Sequence, residues 1–327
     1  MKKHTVLLLL TAGLCLLALQ PARSTGWEEA VPAAQTDYDP RDEPADPRAE
    51  QRRRIEALLD GYRLTGEQRQ ALLGRMEADG GLLARLEAGE LTGAELDWLA
   101  LPNGREDRLE RYAAWSEEHL ELSPADTALQ VNMNRDREFY SAVQTAENPD
   151  SVTVLVNKHY QLPDGFVPEL EALGAGYGSG SMQPEAAAAF RAMADAARAD
   201  DISLRSVSAY RSYQLQKSAY NGYLRNASQA YVDTFSARPG HSEHQTGLAV
   251  DINVATRKAN FEKTPAFAWL KEHCAEYGFI LRYLEDKQDI TGYRFEPWHF
   301  RYVGEEAARV CMDQGLAYEE YIALLPS

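Results

Sequence analysis

Residues 247–254 read Gly-Leu-Ala-Val-Asp-Ile-Asn-Val. The run has the length and apolar content of a strand inside a core, with an acid at its centre. A carboxylate buried without a partner is too costly for a strand to carry. Any fold this chain adopts must therefore bring a partner to Asp251.

The stretch just before it, Arg-Pro-Gly-His-Ser-Glu-His-Gln-Thr (238–246), supplies two histidines, His241 and His244. A metal ion satisfies imidazole nitrogen and carboxylate oxygen together, and a catalytic zinc site commonly takes three protein ligands and leaves one position open. His244 and Asp251 supply two ligands, with His241 competing for the first place. A third stands in Arg-Phe-Glu-Pro-Trp-His-Phe-Arg (294–301), where His299 follows Glu296 by three residues. Pro297 and Trp298 are expected to fix a bend that turns both side chains to one side. Glu296 then stands beside the metal without binding it, placed to accept a proton from the attacking water and pass it to a leaving amine. The sequence lacks the HExxH pattern of zincins. A third segment, Ser-Ala-Tyr-Arg-Ser-Tyr-Gln-Leu-Gln (208–216), reads as a strand end running into a helix start. Arg211 and Gln216 project from that junction, and an arginine there can grip a carboxylate or an oxyanion.

Around these segments the pattern is mixed. Helical spacing recurs from 47 to about 120, with Thr65–Gln68 and Thr92–Glu95 both fitting a capping box. Residues 152–158, 202–210, 247–254, about 282–295 and 298–303 read as strands, and 184–200 and 264–279 as helices, the latter ending at Gly278. Interleaved elements with short hairpin-like links near the end predict an α+β fold with antiparallel pairing. The expected division is a signal peptide or anchor at 1–24, a disordered linker at 25–46, a helical accessory region at 47–125 and the chemistry-bearing domain at 130–327.

The N-terminus carries two lysines and then an apolar run of about 15 residues, the pattern of an export signal and short of the ~20 residues of a spanning helix. Ala22-Arg23-Ser24 offers a cleavage site, and Leu14 before Cys15 argues against a lipid anchor. An extracytoplasmic protein is expected, secreted or held to the cell membrane by that segment alone. Export leaves Cys274 and Cys311 as either a disulfide or two buried thiols. With 50 acidic against 34 basic side chains the formal charge is −16. That balance excludes phosphate-backbone binding, so no nucleic acid is expected. No protein partner is predicted.

The segments 208–216, 242–251 and 296–304 occur in this order in VanY-type D-alanyl-D-alanine carboxypeptidases, which this sequence resembles. Residues 153–170 resemble the start of the same domain, and the resemblance spans roughly 130–327. It implies a zinc peptidase fold shared with lysostaphin and the hedgehog signalling domain. It also implies one zinc ion held by His244, Asp251 and His299, Glu296 as catalytic base, and Arg211 contacting the substrate and stabilising the polarised carbonyl. Gln216 and Ser242 map to positions that hold the substrate's terminal residue, which leaves His241 at the rim or behind the ligands. The implied substrate is a peptidoglycan stem peptide, and the implied reaction is removal of terminal D-alanine from pentapeptides. Alternatives are an L,D-carboxypeptidase acting on tetrapeptides, an endopeptidase that cuts cross-links, and a non-catalytic wall-binding module. A further one makes the helical region the main functional part.

Overall fold

The computed structural model describes residues 46–256 and 258–327. The expected export signal at 1–24 and nearly all of the expected linker at 25–46 lie outside the described residues. No helix among the described residues is long and apolar enough to cross a membrane.

Among the described residues six α-helices come first: α1 (Pro47–Leu59), α2 (Gly66–Ala78), α3 (Gly80–Glu87), α4 (Gly93–Leu99), α5 (Leu109–Glu118) and α6 (Pro124–Asn132). Both expected capping boxes are present, at the starts of α2 and α4, each returning an unpaired amide to a side chain. Ile55, Leu72, Met76, Leu96, Tyr112 and Val131 are among the residues of the helices' own apolar core.

Two short strand pairs follow. β1 (Gln144–Thr145) runs parallel to β2 (Tyr160–Gln161), and β3 (Glu171–Ala172) antiparallel to β4 (Ser181–Met182). Helix α7 (Pro184–Ala199) starts at a proline in its first turn and is rich in alanine, the strongest helix former. Its buried residues Ala186, Ala187, Phe190, Met193, Ala194 and Ala197 recur at helical spacing and form one apolar stripe.

The central sheet is antiparallel throughout, as expected. Its order is β5 (Leu204–Ser208), β6 (Ala249–Val254), β8 (His299–Tyr302), β7 (Phe279–Leu281). Side chains alternate between its faces. Val250, Ile252, Phe279, Leu281, Phe300 and Tyr302 join the main core with α7 and α10 (Pro265–His273). Asp251, His299 and Arg301 belong to the opposite face. There Ile280 packs with Ala308 and Cys311 of α12 (Glu305–Gln314) and Tyr318 of α13 (Tyr318–Leu324). Helices α8 (Tyr213–Leu224), α9 (Gln229–Val232) and α11 (Gln288–Thr291) complete the domain. Cys274 and Cys311 are both free and buried.

Two expected strands are absent. Residues 152–158 are irregular, because their carbonyls serve a side chain rather than a ladder: Arg301 donates to Val152 O at 3.1 Å and Val154 O at 2.8 Å. Residues 282–295 form a loop containing α11 and make no strand. Strand β7 ends at Leu281, and the side chain of the next residue, Arg282, turns into a buried ion cluster.

The C-terminal helix is held against the helical region by buried amides. Asn103 Nδ2 donates to Ala323 O at 2.9 Å, and Asn132 Nδ2 donates to Asn103 O at 2.8 Å. Asn132 Oδ1 accepts from the Tyr112 hydroxyl at 2.7 Å and from Arg108 at 3.1 Å. Replacing Asn132 by Leu strands these groups, and each buried unsatisfied group costs about 1–3 kcal/mol. The expected loss is roughly 2–4 kcal/mol, read from the urea midpoint. An unchanged midpoint would contradict this reading of the junction.

Candidate metal centre

The strand register brings two of the three expected ligands together. Asp251 on β6 lies opposite His299 on β8, so both side chains leave the sheet on the same face. The register of β5 against β6 shifts between Ser206 and Ser208, which sets Ser208 opposite Asp251. The third ligand arrives on a buried 3-10 turn, Glu243–Thr246, which ends at Gly247. Gly247 has φ +72°, and a Cβ there would come within 3.1–3.3 Å of Leu170 and Gln183. Only glycine lets the chain turn directly from His244 into β6.

One donor atom from each of His244, Asp251 and His299 lies within 4.8 Å of the others. His244 Nε2 is 3.3 Å from Asp251 Oδ1, and His299 Nδ1 is 3.2 Å from the same oxygen. Zinc bonds of about 2.0–2.1 Å at tetrahedral angles separate ligand atoms by about 3.3 Å. The donor set therefore fits a zinc ion.

The other nitrogen of each imidazole is engaged from behind, the arrangement that fixes the tautomer of a metal-bound histidine. His244 Nδ1 lies 2.7 Å from Ala209 O. His299 Nε2 lies 3.3 Å from Glu243 Oε2. Each ring thus turns its remaining nitrogen toward Asp251. Sequence reasoning does not find Glu243, since an acid beside a histidine carries no periodic signal. Its side chain is fully buried. Its Oε1 accepts from Arg282 at 2.8 Å and Arg301 at 3.1 Å, and Arg282 also bonds both carboxylate oxygens of Glu319 on α13.

Electrostatics favour a cation at this place. Burial disfavours the charged Asp251 carboxylate, but His244 and His299 outweigh it and hold its pKa well below the usual range. Burial likewise works against a charged His299, yet the bonds to Asp251 and Glu243 raise its pKa to about 9. The same carboxylates that favour a charged His299 would favour a metal ion between the donors. Burial lowers the pKa of His244, keeping it neutral.

Glu296 lies beside the ligands, its Oε2 3.9 Å from His299 Nδ1. The bend expected at Pro297 is a turn in which His299 N donates to Glu296 O at 3.2 Å, with proline at its second position. Burial raises the Glu296 carboxyl to about 7, placing it near neutrality for proton exchange. Arg211 reaches the same cleft. Its guanidinium donates to Gln216 Oε1 at 2.9 Å and Ser208 Oγ at 3.0 Å and stands 3.9 Å from Asp251 Oδ2. Ser242 and Gln216 line this cleft, a cavity of about 1000 Å³. His241 stands apart from the donor cluster; its Nδ1 lies 2.8 Å from Asn157 O and its ring packs edge-on against Tyr140.

Glu243→Gln is expected to weaken metal binding by about 10–100-fold, measured by competition with a chromogenic chelator. It should also lower thermal stability, because it leaves a buried charge uncompensated. Wild-type metal affinity would remove Glu243 from the site.

The VanY family model, described as D-alanyl-D-alanine carboxypeptidase, matches residues 179–305, which contain every ligand and cleft residue named above. The Bacillus subtilis (strain 168) protein YodJ is 37% identical over 210 residues, covering 60% of this chain and 76% of its own. A D-alanyl-D-alanine carboxypeptidase of Enterococcus faecalis (strain ATCC 700802 / V583) is 35% identical over 206 residues, covering 56% and 75%. Among solved structures, that of the LdcB LD-carboxypeptidase, described for its peptidoglycan recognition, superposes with a TM-score of 0.53 at 37% identity. It covers 57% of this chain and 92% of that one. A shared sequence over three quarters of two relatives, together with a three-donor site inside the matched segment, makes this chain a peptidase of the VanY D-alanyl-D-alanine carboxypeptidase family.

Proposed function

We propose that this chain is a zinc-dependent D,D-carboxypeptidase that removes the terminal D-alanine from peptidoglycan stem pentapeptides. One observation carries the reading: a three-donor site, a buried carboxyl outside it and an arginine share one cleft. Zinc, when bound, supplies Lewis acidity, lowering the pKa of water and polarising a carbonyl. His244, Asp251 and His299 would hold it, with Ala209 O and Glu243 fixing the two rings. Glu296 takes the proton of the attacking water on a carboxylate oxygen and delivers it to the nitrogen of the departing D-alanine. Arg211, braced by Gln216 and Ser208, directs its remaining N–H groups at the carbonyl oxygen as charge develops there. Ser242 holds the terminal residue, and Gln216, expected to do the same, acts through Arg211, because its amide is spent on that guanidinium and on Ala237 O.

The second reading has specific support. Likeness to the LdcB LD-carboxypeptidase favours an L,D-carboxypeptidase that takes D-alanine from tetrapeptides with the same central residues. In either reading the enzyme works outside the cytoplasm, secreted or anchored through residues 1–24. That placement rests on the N-terminal pattern alone.

Mass spectrometry of mixed pentapeptide and tetrapeptide muropeptides incubated with the enzyme separates the two readings. Loss of one alanine from pentapeptide alone is the expected result, and loss from tetrapeptide alone selects the second. No cleavage by zinc-loaded protein would overturn both. Glu296→Gln should lower kcat by about 10²–10⁴-fold while zinc content by atomic absorption stays unchanged. Retained kcat would remove Glu296 from proton transfer.

A further inference from the structure

Lys158 is a buried ammonium that takes no part in the chemistry above. Its Nζ donates to two backbone carbonyls, Asp233 O and Gly292 O, each at 2.7 Å. Three aromatic rings enclose it, with centroids at 4.8 Å (Phe139), 5.5 Å (Tyr140) and 4.5 Å (Tyr293). Among the described residues no carboxylate bonds it. The Asp233 carboxylate is taken by Tyr220 at 2.6 Å and Arg238 at 2.8 Å. Burial lowers the Lys158 pKa to about 8, against the weaker opposing effect of Asp233. The carbonyl dipoles and ring faces are what make a charge tolerable there.

The two carbonyls begin the two segments that bear the cleft. After Asp233 come Phe235, Ser236 and Ala237; after Gly292 come Tyr293 to Glu296 and Trp298, all lining the cavity. Ala237 O accepts Gln216 Nε2 at 2.7 Å, so the first segment places the side chain that braces Arg211. The second carries Glu296. The segments also meet at Arg294, whose N donates to Thr234 O at 2.9 Å and whose guanidinium stands 5.0 Å from the centre of the Phe235 ring. Gly292 is shaped to the lysine: its φ is +75°, and a Cβ would stand 2.7–2.8 Å from Cδ, Cε and Nζ of Lys158.

We propose that Lys158 is a positioning residue of the peptidase reaction, its ammonium clamping the 233–237 and 292–298 segments so that Gln216–Arg211 and Glu296 face one substrate. The inference rests on the roles given to Glu296 and Arg211 above. Without the ammonium the two carbonyls lose their donor and the segments gain freedom. A misplacement of about 1 Å at a reacting group is worth about a hundredfold in rate.

The test uses the full chain and Lys158→Met, which keeps the stem and removes the charge. Hydrogen–deuterium exchange should accelerate within 233–238 and 292–299 and stay unchanged in helices α1–α5. On the muropeptide that the wild type cleaves, kcat should fall about 10–100-fold with KM changed less than about threefold at saturating zinc. Lys158→Gln, which keeps an N–H donor on a stem one atom shorter, should recover part of kcat, and it takes the place of Lys158→Met if that variant does not fold. Wild-type kcat, or exchange that rises evenly through the chain, overturns the clamp. If wild-type enzyme cleaves no muropeptide, the proposed function fails, and the exchange pattern alone decides the role of Lys158.

Discussion

The contact between His299 Nε2 and Glu243 is the interaction on which the rest of the site depends. A histidine on a strand can present either nitrogen to its neighbours, and Glu243 settles which. The acid can do so only while buried, and it is buried only because Arg282 and Arg301 bond it there. Those two guanidiniums need a second carboxylate, which Glu319 of α13 provides. Two acids and two guanidiniums thus close a buried, charge-balanced cluster behind His299. Such clusters add little net stability compared with apolar packing. This one fixes geometry, and it ties the end of β7, strand β8, the His244 turn and the C-terminal helix to one imidazole. Through Ala323, held by Asn103 and Asn132, the helical region braces the same C-terminal helix.

The sheet separates folding from chemistry. One face of β6 and β8 is apolar and packs on α7 and α10, so the register is locked by burial. The other face then carries Asp251, His299 and Arg301 at positions no slip can exchange. Residues that approach from outside the sheet, namely His244, Arg211 and Glu296, are each held by backbone geometry: a glycine-ended turn, a helix start capped by Ser212 and a proline turn. This division explains how a chain of formal charge −16 builds a cleft that favours a cation at its floor and carries Arg211 beside it.

Much of the site is legible in the amino-acid sequence because its ligands violate local rules. Asp251 interrupts an apolar strand, and His299 and Glu296 bracket a proline turn; both features stand out from the residue order alone. Alternation and helical spacing likewise mark β5, β6, α7 and α10, but α10 stops at His273, and Gly278, with φ +75°, ends the 3-10 turn Cys274–Tyr277 that follows it. Glu243 is not legible, since its meaning lies in Arg282, Arg301 and Glu319, up to 76 residues away in the chain. Residues 152–158 read as a strand from their valines, but their carbonyls answer to Arg301. Residues 282–295 read as strand from their aromatic content, though Tyr283 and Tyr293 pack on one another within a loop. For Glu243 and for 152–158 a long-range partner overrides the local pattern, whereas 282–295 folds back on itself.

The most direct test of this account is anomalous diffraction at the zinc absorption edge from crystals of the zinc-loaded protein. The account predicts one strong peak bonded to His244 Nε2, Asp251 Oδ1 and His299 Nδ1, with Glu243 still on His299 Nε2 and Glu296 outside bonding distance. A peak bonded to Glu296 or His241, or to His299 through Nε2, would contradict it.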